Sequence, residues 1–192
     1  ADEMLFWTRQ EYTRFIAEIE SGSTAHLGFQ LLYWTGMRIG EMLALTLSDI
    51  DLENKTLSVT KSYQRIKKQD IITEPNTQKS NRVILLPSFL CEELRSYISR
   101  RYDLKPTERL LPCSRVLFHY WLDVGCKKAD VKRIRVHDFR HSHASLLIEL
   151  GFSPLLIAER LGHENIERTL NTYSHLYPNK QAELIERLES LE

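Results

Sequence analysis

The spacing of hydrophobic residues divides the chain into a helical part, a short β-rich part and a second helical part. Apolar residues recur with a helical period from Thr8 to about Glu20. The stretch "STAHLGFQLLYWTG" predicts a buried helix that has Ser23 or Thr24 as its N-cap and stops at Gly36. A further short helix is expected just past that glycine, in "MRIGEMLALTLSDID".

Three short runs rich in β-forming residues follow, and polar loops separate them. The runs are "KTLSVTKSYQ", "QDIITE" and "RVILLP", and the loops are "RIKK" and "PNTQKSN". Because each run has the length of a strand and the connections are short, the pattern predicts a three-stranded antiparallel sheet.

Helical periodicity returns at Ser88. The predicted helices cover 88–102, about 114–128, 138–150, 154–161, a segment from Asn165 that must end before Pro178, and about 179–191. Ser153 and Pro154 form an N-cap and first-turn pair. The fold class is therefore α+β and mainly α, with one domain over residues 1–178 and a C-terminal helix over 179–192.

The composition is that of an ordinary globular protein. Of 192 residues, 42% are hydrophobic and 27% are charged, and no run has the character of a signal peptide or a membrane span. The three cysteines, Cys91, Cys113 and Cys126, lack CxxC spacing. Reduced thiols in a cytosolic compartment are the expected state.

The distribution of charge is more informative than its sum, since the formal net charge is +0. Between Lys61 and Arg82 six basic residues face two acidic ones, and the same numbers hold between Lys127 and His141. Two basic segments on a neutral chain indicate one face that binds a polyanion. Solvated loops are the alternative, and composition alone leaves both open.

Arg38 stands between apolar residues in "TGMRIGE", at the entrance of a helix. A partly buried arginine needs an anionic partner, and Glu41 lies on the same helical face three residues later. The pair is either a structural ion pair or an arginine that Glu41 holds towards a phosphate, whose oxygens match the guanidinium fork.

The stretch "VHDFRHSHASLLIELG" combines an apolar stripe with cationic residues at the start of a helix. The stripe consists of Phe139, His143, Leu146, Leu147 and Leu150. His137, Arg140 and His141 lie on another face, where a helix N-terminus favours anions. His137 and His141 also have metal-ligand spacing, but Arg140 between them would repel a divalent ion.

Two further candidates lie near the C-terminus. His163 follows Gly162, which ends a helix, and is either an ordinary surface histidine or a site residue. Tyr173 and Tyr177 are one helical turn apart in "HENIERTLNTYSHLYPNK". A tyrosine on a helical face usually packs in the core, so this stretch alone does not identify a nucleophile.

These motifs, in this order, closely resemble those of the tyrosine recombinases, the integrases of phages and mobile elements. The resemblance extends from about Thr24 to Leu176. It rests on four short motifs, "TGMRIGE", "HDFRH", "LGH" and "TLNTYSH". The family also has a lysine on a hairpin of its small sheet, and Lys79 in "QKSNRVILLP" matches it, with Lys67 or Lys68 as weaker candidates.

The resemblance implies a role for each matched residue. Tyr173 would attack the scissile phosphate to form a 3′-phosphotyrosyl bond, while Arg38 and Arg140 stabilise the transition state. Lys79 would protonate the departing 5′-oxygen. His137 would assist proton transfer at the tyrosine, and His163 would donate a hydrogen bond to the phosphate. The surrounding cations should favour ionisation of the Tyr173 phenol.

The resemblance also implies partners and context. The partner is double-stranded DNA, and neither a metal nor another cofactor nor ATP is needed. We expect a cytoplasmic protein of bacterial or phage origin, a homotetramer on DNA, a monomeric free fragment and no membrane association. The family's DNA-clamping N-terminal domain is expected to be missing, and the 179–192 helix is either exchanged between subunits or docked on its own domain. Additional DNA contacts are expected at Lys67, Lys68, Arg82, Arg133 and Arg135.

Two other functions use the same scaffold. A DNA-binding regulator would bind through the basic segments without cleaving. A nicking-closing enzyme similar to the type IB topoisomerases would share the chemistry but act as a monomer without choice of site. The retention of every expected catalytic residue type argues against the first, and "HDFRH" and "LGH" favour a recombinase over the second.

Overall fold

The computed structural model describes residues 4–74 and 80–192 of the chain. Its helices are α1 (Arg9–Ala17), α2 (Thr24–Thr35), α3 (Ile39–Ala44), α4 (Ser88–Ser99), α5 (Arg115–Ala129), α6 (Asp138–Glu149), α7 (Pro154–Leu161), α8 (Ile166–Tyr173) and α9 (Gln181–Glu189). Within these described residues, no helix is both long enough and apolar enough to cross a bilayer. All three cysteine thiols are free of disulfides.

The ends of the helices lie where local sequence signals predict them. The Ser23 hydroxyl accepts a hydrogen bond from the backbone N–H of His26 and caps α2. The Ser153 hydroxyl and the Asn165 side-chain oxygen cap α7 and α8 in the same way. Gly36 ends α2 in the left-handed conformation, with φ 69°. Capping depends on neighbouring residues only, which explains why these predictions are confirmed.

The β-rich part is arranged differently from the prediction. Its strands are β1 (Ile50–Asp51), β2 (Thr56–Val59), β3 (Ser62–Ile66), β4 (Gln69–Thr73) and β5 (Arg82–Leu85). They form a three-stranded antiparallel sheet, in the order β1-β2-β5, and a separate β3-β4 hairpin.

The predicted sheet of three runs is therefore wrong in its pairing, although a small antiparallel sheet is present. The run "KTLSVTKSYQ" is two strands, and they belong to different sheets. The third strand of the sheet is β1, which comes from a segment that was predicted as helix. Leu57 pairs with Ile84 and both are buried, so the main core selects this register.

Most of the core is one large cluster centred on α2, with a smaller cluster beside it. The smaller cluster contains Ala144, Ile148, Ile157, Leu161 and Tyr173. Helix α6 lies between the two and is buried on nearly all sides, which the predicted single apolar stripe did not anticipate. Leu150, predicted in that stripe, is 62% exposed, whereas Arg140 is only 3% exposed.

Candidate active site

Arg38 lies in the short turn between α2 and α3 and caps the start of α3. Its backbone N–H donates to one oxygen of the Glu41 carboxylate at 2.8 Å, and its guanidinium Nη1 donates to the other at 3.1 Å. The Arg38 side chain remains 33% exposed. Glu41 therefore holds the arginine at its base while the guanidinium still reaches solvent.

The Glu41 carboxylate is itself fixed by Arg82 at the start of β5. Arg82 donates two parallel hydrogen bonds to it, at 3.1 and 2.9 Å, and both side chains are more than nine-tenths buried. Burial alone would raise the pKa of Glu41, but hydrogen bonds and charge from Arg82 and Arg38 hold this pKa below its ordinary value. The carboxylate is thus an anion between two cations.

The position of Arg82 corrects one prediction. We expected Arg82 to contact DNA, but its guanidinium is occupied by Glu41 and its Nε donates to the carbonyl of Arg160 at 2.9 Å. It also packs against Gly162, where an added Cβ would lie 2.8 Å from Arg82 Nη1. Arg82 therefore supports Arg38 through Glu41 instead of facing a ligand.

Arg140 is held by the ends of two other helices. Its Nη1 donates to the carbonyl of Gly36 at 2.9 Å, and its Nη2 donates to that of Leu161 at 2.6 Å. These carbonyls belong to the C-terminal ends of α2 and α7, where the helix dipole is negative. Burial and the charge of Arg38 lower the pKa of Arg140 to about 9, which leaves it cationic at neutral pH.

Tyr173, the last residue of α8, is 1% exposed and points its hydroxyl at α6. The phenolic oxygen lies 2.8 Å from Nδ1 of His141. Burial raises the pKa of Tyr173 to about 12, although the charges of Arg140, Arg168 and Arg38 act in the opposite direction. The cations therefore favour ionisation of the phenol, as expected, but desolvation outweighs them in this state.

His137 and His163 complete the set of predicted catalytic residues that the structure describes. The His137 ring lies 5.4 Å from that of His141, at nearly a right angle. Nδ1 of His163 is 2.7 Å from the hydroxyl of Thr169 on α8. Burial and the charge of Arg140 lower the pKa of both histidines, that of His163 to about 3. Both rings are therefore neutral at neutral pH.

These side chains, distant in sequence, converge on one region. The charges of both Arg38 and Arg140 lower the pKa of three groups, namely Tyr173, His137 and His163. A polar cleft of about 340 Å³ adjoins Arg38, between the β3-β4 hairpin and the loop that carries Gly162. Of the converging residues, Arg38 lines this cleft, whereas Tyr173 is buried behind it. Two fixed cations, neutral imidazoles and one phenol in one region have the chemistry to bind a phosphodiester and attack it.

The remaining predicted residues lie outside this cluster. Lys79 falls outside the described residues. Lys67 and Lys68 form the tip of the β3-β4 hairpin, both at positive φ and exposed to solvent. Arg133 and Arg135 pair with Asp123 and Asp138 at 2.6 and 2.9 Å but keep exposed side chains, so contact with DNA stays a prediction for these four.

Two residues of the cluster were not among the predicted site residues. His141 binds the Tyr173 hydroxyl, and its spacing from His137 in "HDFRH" was the available signal. Arg168 acts on the pKa of Tyr173 and His163, but no local pattern marks it. Among the residues described, no group of three or more His, Cys, Asp or Glu side chains has an arrangement that fits a metal ion.

Comparison with known proteins finds integrases among the relatives of this chain. Residues 6–180 match the phage integrase family. The ICEBs1 integrase of Bacillus subtilis (strain 168) is 35% identical over 207 residues, which cover 98% of this chain and 55% of the relative. The integrase of Staphylococcus phage L54a is 31% identical, over 82% of this chain and 49% of its own length.

Solved structures share the fold. The Tn1549 transposon integrase in complex with a circular intermediate DNA superposes with a TM-score of 0.82 at 22% identity, covering 100% of this chain and 67% of that one. The chain spans about half the length of the curated relatives that it matches. From the family match and the identity to the ICEBs1 integrase, this chain belongs to the phage integrase family.

Proposed function

We propose that this chain is the catalytic domain of a site-specific DNA recombinase. It cleaves and rejoins double-stranded DNA through a 3′-phosphotyrosyl bond, without metal or ATP. One observation carries the proposal: a single phenol, Tyr173, lies within the field of two arginines that buried partners hold in place. The family membership of the chain supports the same reading.

The two arginines are suited to a phosphate that gains charge. Arg38 and Arg140 hold the non-bridging oxygens, and their field stabilises the extra charge of the five-coordinate phosphorus. Because buried partners already fix Arg140 and the base of Arg38, little reorganisation is needed when the charge develops. Fixed cations take the place that metal ions have in other phosphoryl transfers.

The other residues act on protons and on the bound phosphate. Lys79 protonates the departing 5′-oxygen, His163 donates a hydrogen bond to the phosphate, and His137 assists proton transfer at the nucleophile. The tyrosyl ester conserves the energy of the broken phosphodiester, so rejoining requires no ATP. Contacts from Lys67, Lys68, Arg133 and Arg135 to DNA phosphates make binding fall steeply with salt.

We further propose that four copies assemble on DNA and exchange α9. This helix has no buried residue, and Leu184, Ile185 and Leu188 on it are about half exposed. An apolar helix face that the described part of the chain leaves exposed is suited to bind a neighbouring subunit. We propose that the protein acts in the cytoplasm of a bacterium, where its DNA substrate lies.

The test is covalent capture on nicked duplexes with randomised sequence around the nick. The short strand that cleavage releases beside the nick dissociates, so rejoining is prevented. An adduct that survives denaturant therefore accumulates. Because the chain matches only part of its relatives, we assay it alone and as a chimera in which it replaces the matching segment of the ICEBs1 integrase. We expect an adduct that EDTA does not prevent and that Tyr173→Phe abolishes.

Tyr177→Phe is the matched control, since this hydroxyl donates to the carbonyl of Phe152 outside the cluster, and it should leave the adduct intact. An adduct that persists in Tyr173→Phe would remove the assignment of the nucleophile. Binding without any adduct would favour the regulator, and adducts without sequence preference would favour a topoisomerase-like enzyme.

A further inference from the structure

Arg160 lies in the last turn of α7, and its partly buried guanidinium joins three other elements of the fold. Its Nε donates to Nε2 of His143 on α6 at 3.0 Å, its Nη2 to the carbonyl of Trp34 on α2 at 2.9 Å, and its Nη1 to that of Leu85 on β5 at 3.1 Å. All three of these acceptors are neutral. Burial of a cation costs free energy unless acceptors compensate for it, and α2 offers a carbonyl of its C-terminal end, where the helix dipole is negative.

The His143 ring accepts this hydrogen bond as a neutral imidazole. Its Nδ1 lies 2.7 Å from the carbonyl of Tyr33, which can only accept, so Nδ1 carries the hydrogen and Nε2 accepts from Arg160. The residue is 2% exposed, and burial together with the charge of Arg160 lowers the pKa of His143 to about 3, so the ring is neutral at neutral pH. The pair thus binds two successive carbonyls of α2, those of Tyr33 and Trp34.

These bonds hold the two chain segments that bind Arg140. Gly36 follows the turn of α2 that the pair binds, and its carbonyl accepts from Nη1 of Arg140 at 2.9 Å. Leu161 follows Arg160, and its carbonyl accepts from Nη2 of Arg140 at 2.6 Å. The His143 ring also packs on Gly36, where an added Cβ would lie 2.6 Å from Cδ2 of the ring. Both carbonyls that bind Arg140 therefore lie beside groups that Arg160 and His143 fix.

We propose that Arg160 and His143 are positioning residues, which fix the carbonyls of Gly36 and Leu161 and so set the place where the Arg140 guanidinium meets the scissile phosphate. This inference rests on the proposed function. Both residues act through Arg140 and need no contact with DNA. A guanidinium that is already in place stabilises the developing charge without reorganisation, and a displacement of about 1 Å can cost about 10²-fold in rate.

The shape of the Arg160 side chain matters here as well as its charge. One guanidinium reaches acceptors on α2, α6 and β5 at the same time, because its donors lie in one rigid plane. A lysine at this position keeps the charge but has no planar fork to reach all three. Arg160→Gln removes the charge and the fork, whereas Arg160→Lys removes the fork alone, so the two variants separate these contributions.

The first test is the tautomer of His143, read from the ¹⁵N shifts and couplings of its ring in the labelled wild-type chain at neutral pH. His143→Gln identifies the signal. We expect hydrogen on Nδ1 and an unprotonated Nε2, whose signal shifts in Arg160→Gln. Hydrogen on Nε2 in the wild type would mean that Arg160 does not donate to the ring, and it would overturn the proposal without any activity measurement.

The second test is the single-turnover rate of adduct formation at saturating DNA, on the nicked duplexes and in the same chimera. Arg160→Gln and Arg160→Lys should each lower this rate by about 10²-fold. The DNA concentration that gives half the maximal rate should stay unchanged, because the Arg160 side chain binds protein and not phosphate. A wild-type rate in either variant would overturn the proposal.

Arg109→Gln is the matched control for the loss of a structural arginine. Arg109 is also partly buried, and its Nη1 donates to three carbonyls that do not bind Arg140, those of Leu43, Leu111 and Cys113. This variant should leave the rate unchanged. A rate that falls as far in Arg109→Gln as in Arg160→Gln would show that the loss reflects general destabilisation, and it would remove the positioning role.

A double variant tests whether Arg160 acts through Arg140. Arg140→Lys alone already loses the fork that binds Gly36 and Leu161, so adding Arg160→Lys should slow the adduct little further. Effects that multiply in the double variant would mean independent action and would overturn the proposal. No adduct from the wild-type chain on any duplex removes the proposed function and this inference with it. A wild-type adduct whose rate survives both Arg160 variants removes the inference alone.

Discussion

The half of the site that carries the arginines and the half that carries the tyrosine are built in different ways. Arg140 is buried and donates hydrogen bonds to the carbonyls at the C-terminal ends of α2 and α7. Arg82 is also buried and donates to the Glu41 carboxylate on α3. Tyr173 belongs to the smaller core cluster, and the chain after it leads to α9, which buries no residue.

This difference fits two separate tasks in the proposed reaction. A group that stabilises transition-state charge gains most from a fixed position, because it then needs no reorganisation during the reaction. A nucleophile that must be withheld until DNA is bound gains from a segment with few buried contacts, since such a segment moves at low cost in free energy. We expect the arginine half to be stable and the tyrosine half to be the part that adjusts to DNA.

The largest expected effect comes from removing the centre of the arginine half. Glu41→Ala leaves the guanidinium of Arg82, 6% exposed, without its carboxylate and should lower the free energy of unfolding by about 3–5 kcal/mol. Urea denaturation of both proteins measures it. The control is Glu92→Ala, whose exposed pairing with Arg95 should contribute less than about 1 kcal/mol. Equal losses of unfolding free energy in the two variants would show that burial does not strengthen the Arg82–Glu41 pair.

Arg140→Lys should come next, with its main effect on chemistry. A lysine has no planar fork to reach both the Gly36 and the Leu161 carbonyls and the phosphate, so the adduct should form about 10²–10³-fold more slowly. That factor corresponds to about 2.7–4 kcal/mol of transition-state stabilisation. Arg95→Lys on the exposed face of α4 should change nothing. An unaffected adduct rate in Arg140→Lys would argue that charge alone, without fixed geometry, is sufficient.

The fold was predictable from sequence as far as local signals determine it. Ser23, Gly36, Ser153 and Asn165 mark helix ends through bonds within a few residues, and the structure has them there. Strand pairing is not local. Nothing within "KTLSVTKSYQ" indicates that its two halves pair with different segments, because burial of Leu57 against β5 makes that choice.

The same distinction applies to the site. The motifs predict Arg38, Arg140 and Tyr173 because each carries its residue type in a recognisable context. They did not identify Arg82 as the partner of Glu41, or His141 as that of Tyr173, since those pairings depend on which elements meet in space. The direction in which the cations shift the pKa of Tyr173 was predictable, but the burial that outweighs them was not, because sequence reveals neighbouring charges and not desolvation.

A third prediction concerns pH. His143 of α6 is buried, donates from Nδ1 to the carbonyl of Tyr33 and accepts from Arg160 at Nε2. Burial and the charges of Arg160 and Arg140 lower its pKa from 6.5 to about 3. As the pH falls, the unfolded chain therefore binds a proton at His143 before the folded chain does. The contribution of His143 to stability is complete above pH 6.5 and is lost as the pH falls towards 3.

The expected loss is up to about 1.4 kcal/mol per pH unit for such a histidine. Urea denaturation at several pH values between neutral and mildly acidic gives the slope. His143→Gln should make the slope smaller, whereas His119→Gln, which alters an exposed ring, should leave it unchanged. An unchanged slope in His143→Gln would show that other groups, such as His163, carry the acid sensitivity.

The smallest effect on stability is expected at the end of the tyrosine half. Deletion of residues 181–192 removes a helix without a buried side chain and should change the free energy of unfolding by less than about 0.5 kcal/mol. Ile157→Ala, in the small cluster beside Tyr173, serves as the contrasting variant and should cost about 2–5 kcal/mol. If α9 serves a neighbouring subunit, the truncated chain should bind DNA as a monomer but fail to form tetramers on a native gel. A large loss of stability on truncation would instead mean that α9 packs on its own domain. The contrast in packing with the arginine half would then not extend to the segment after Tyr173.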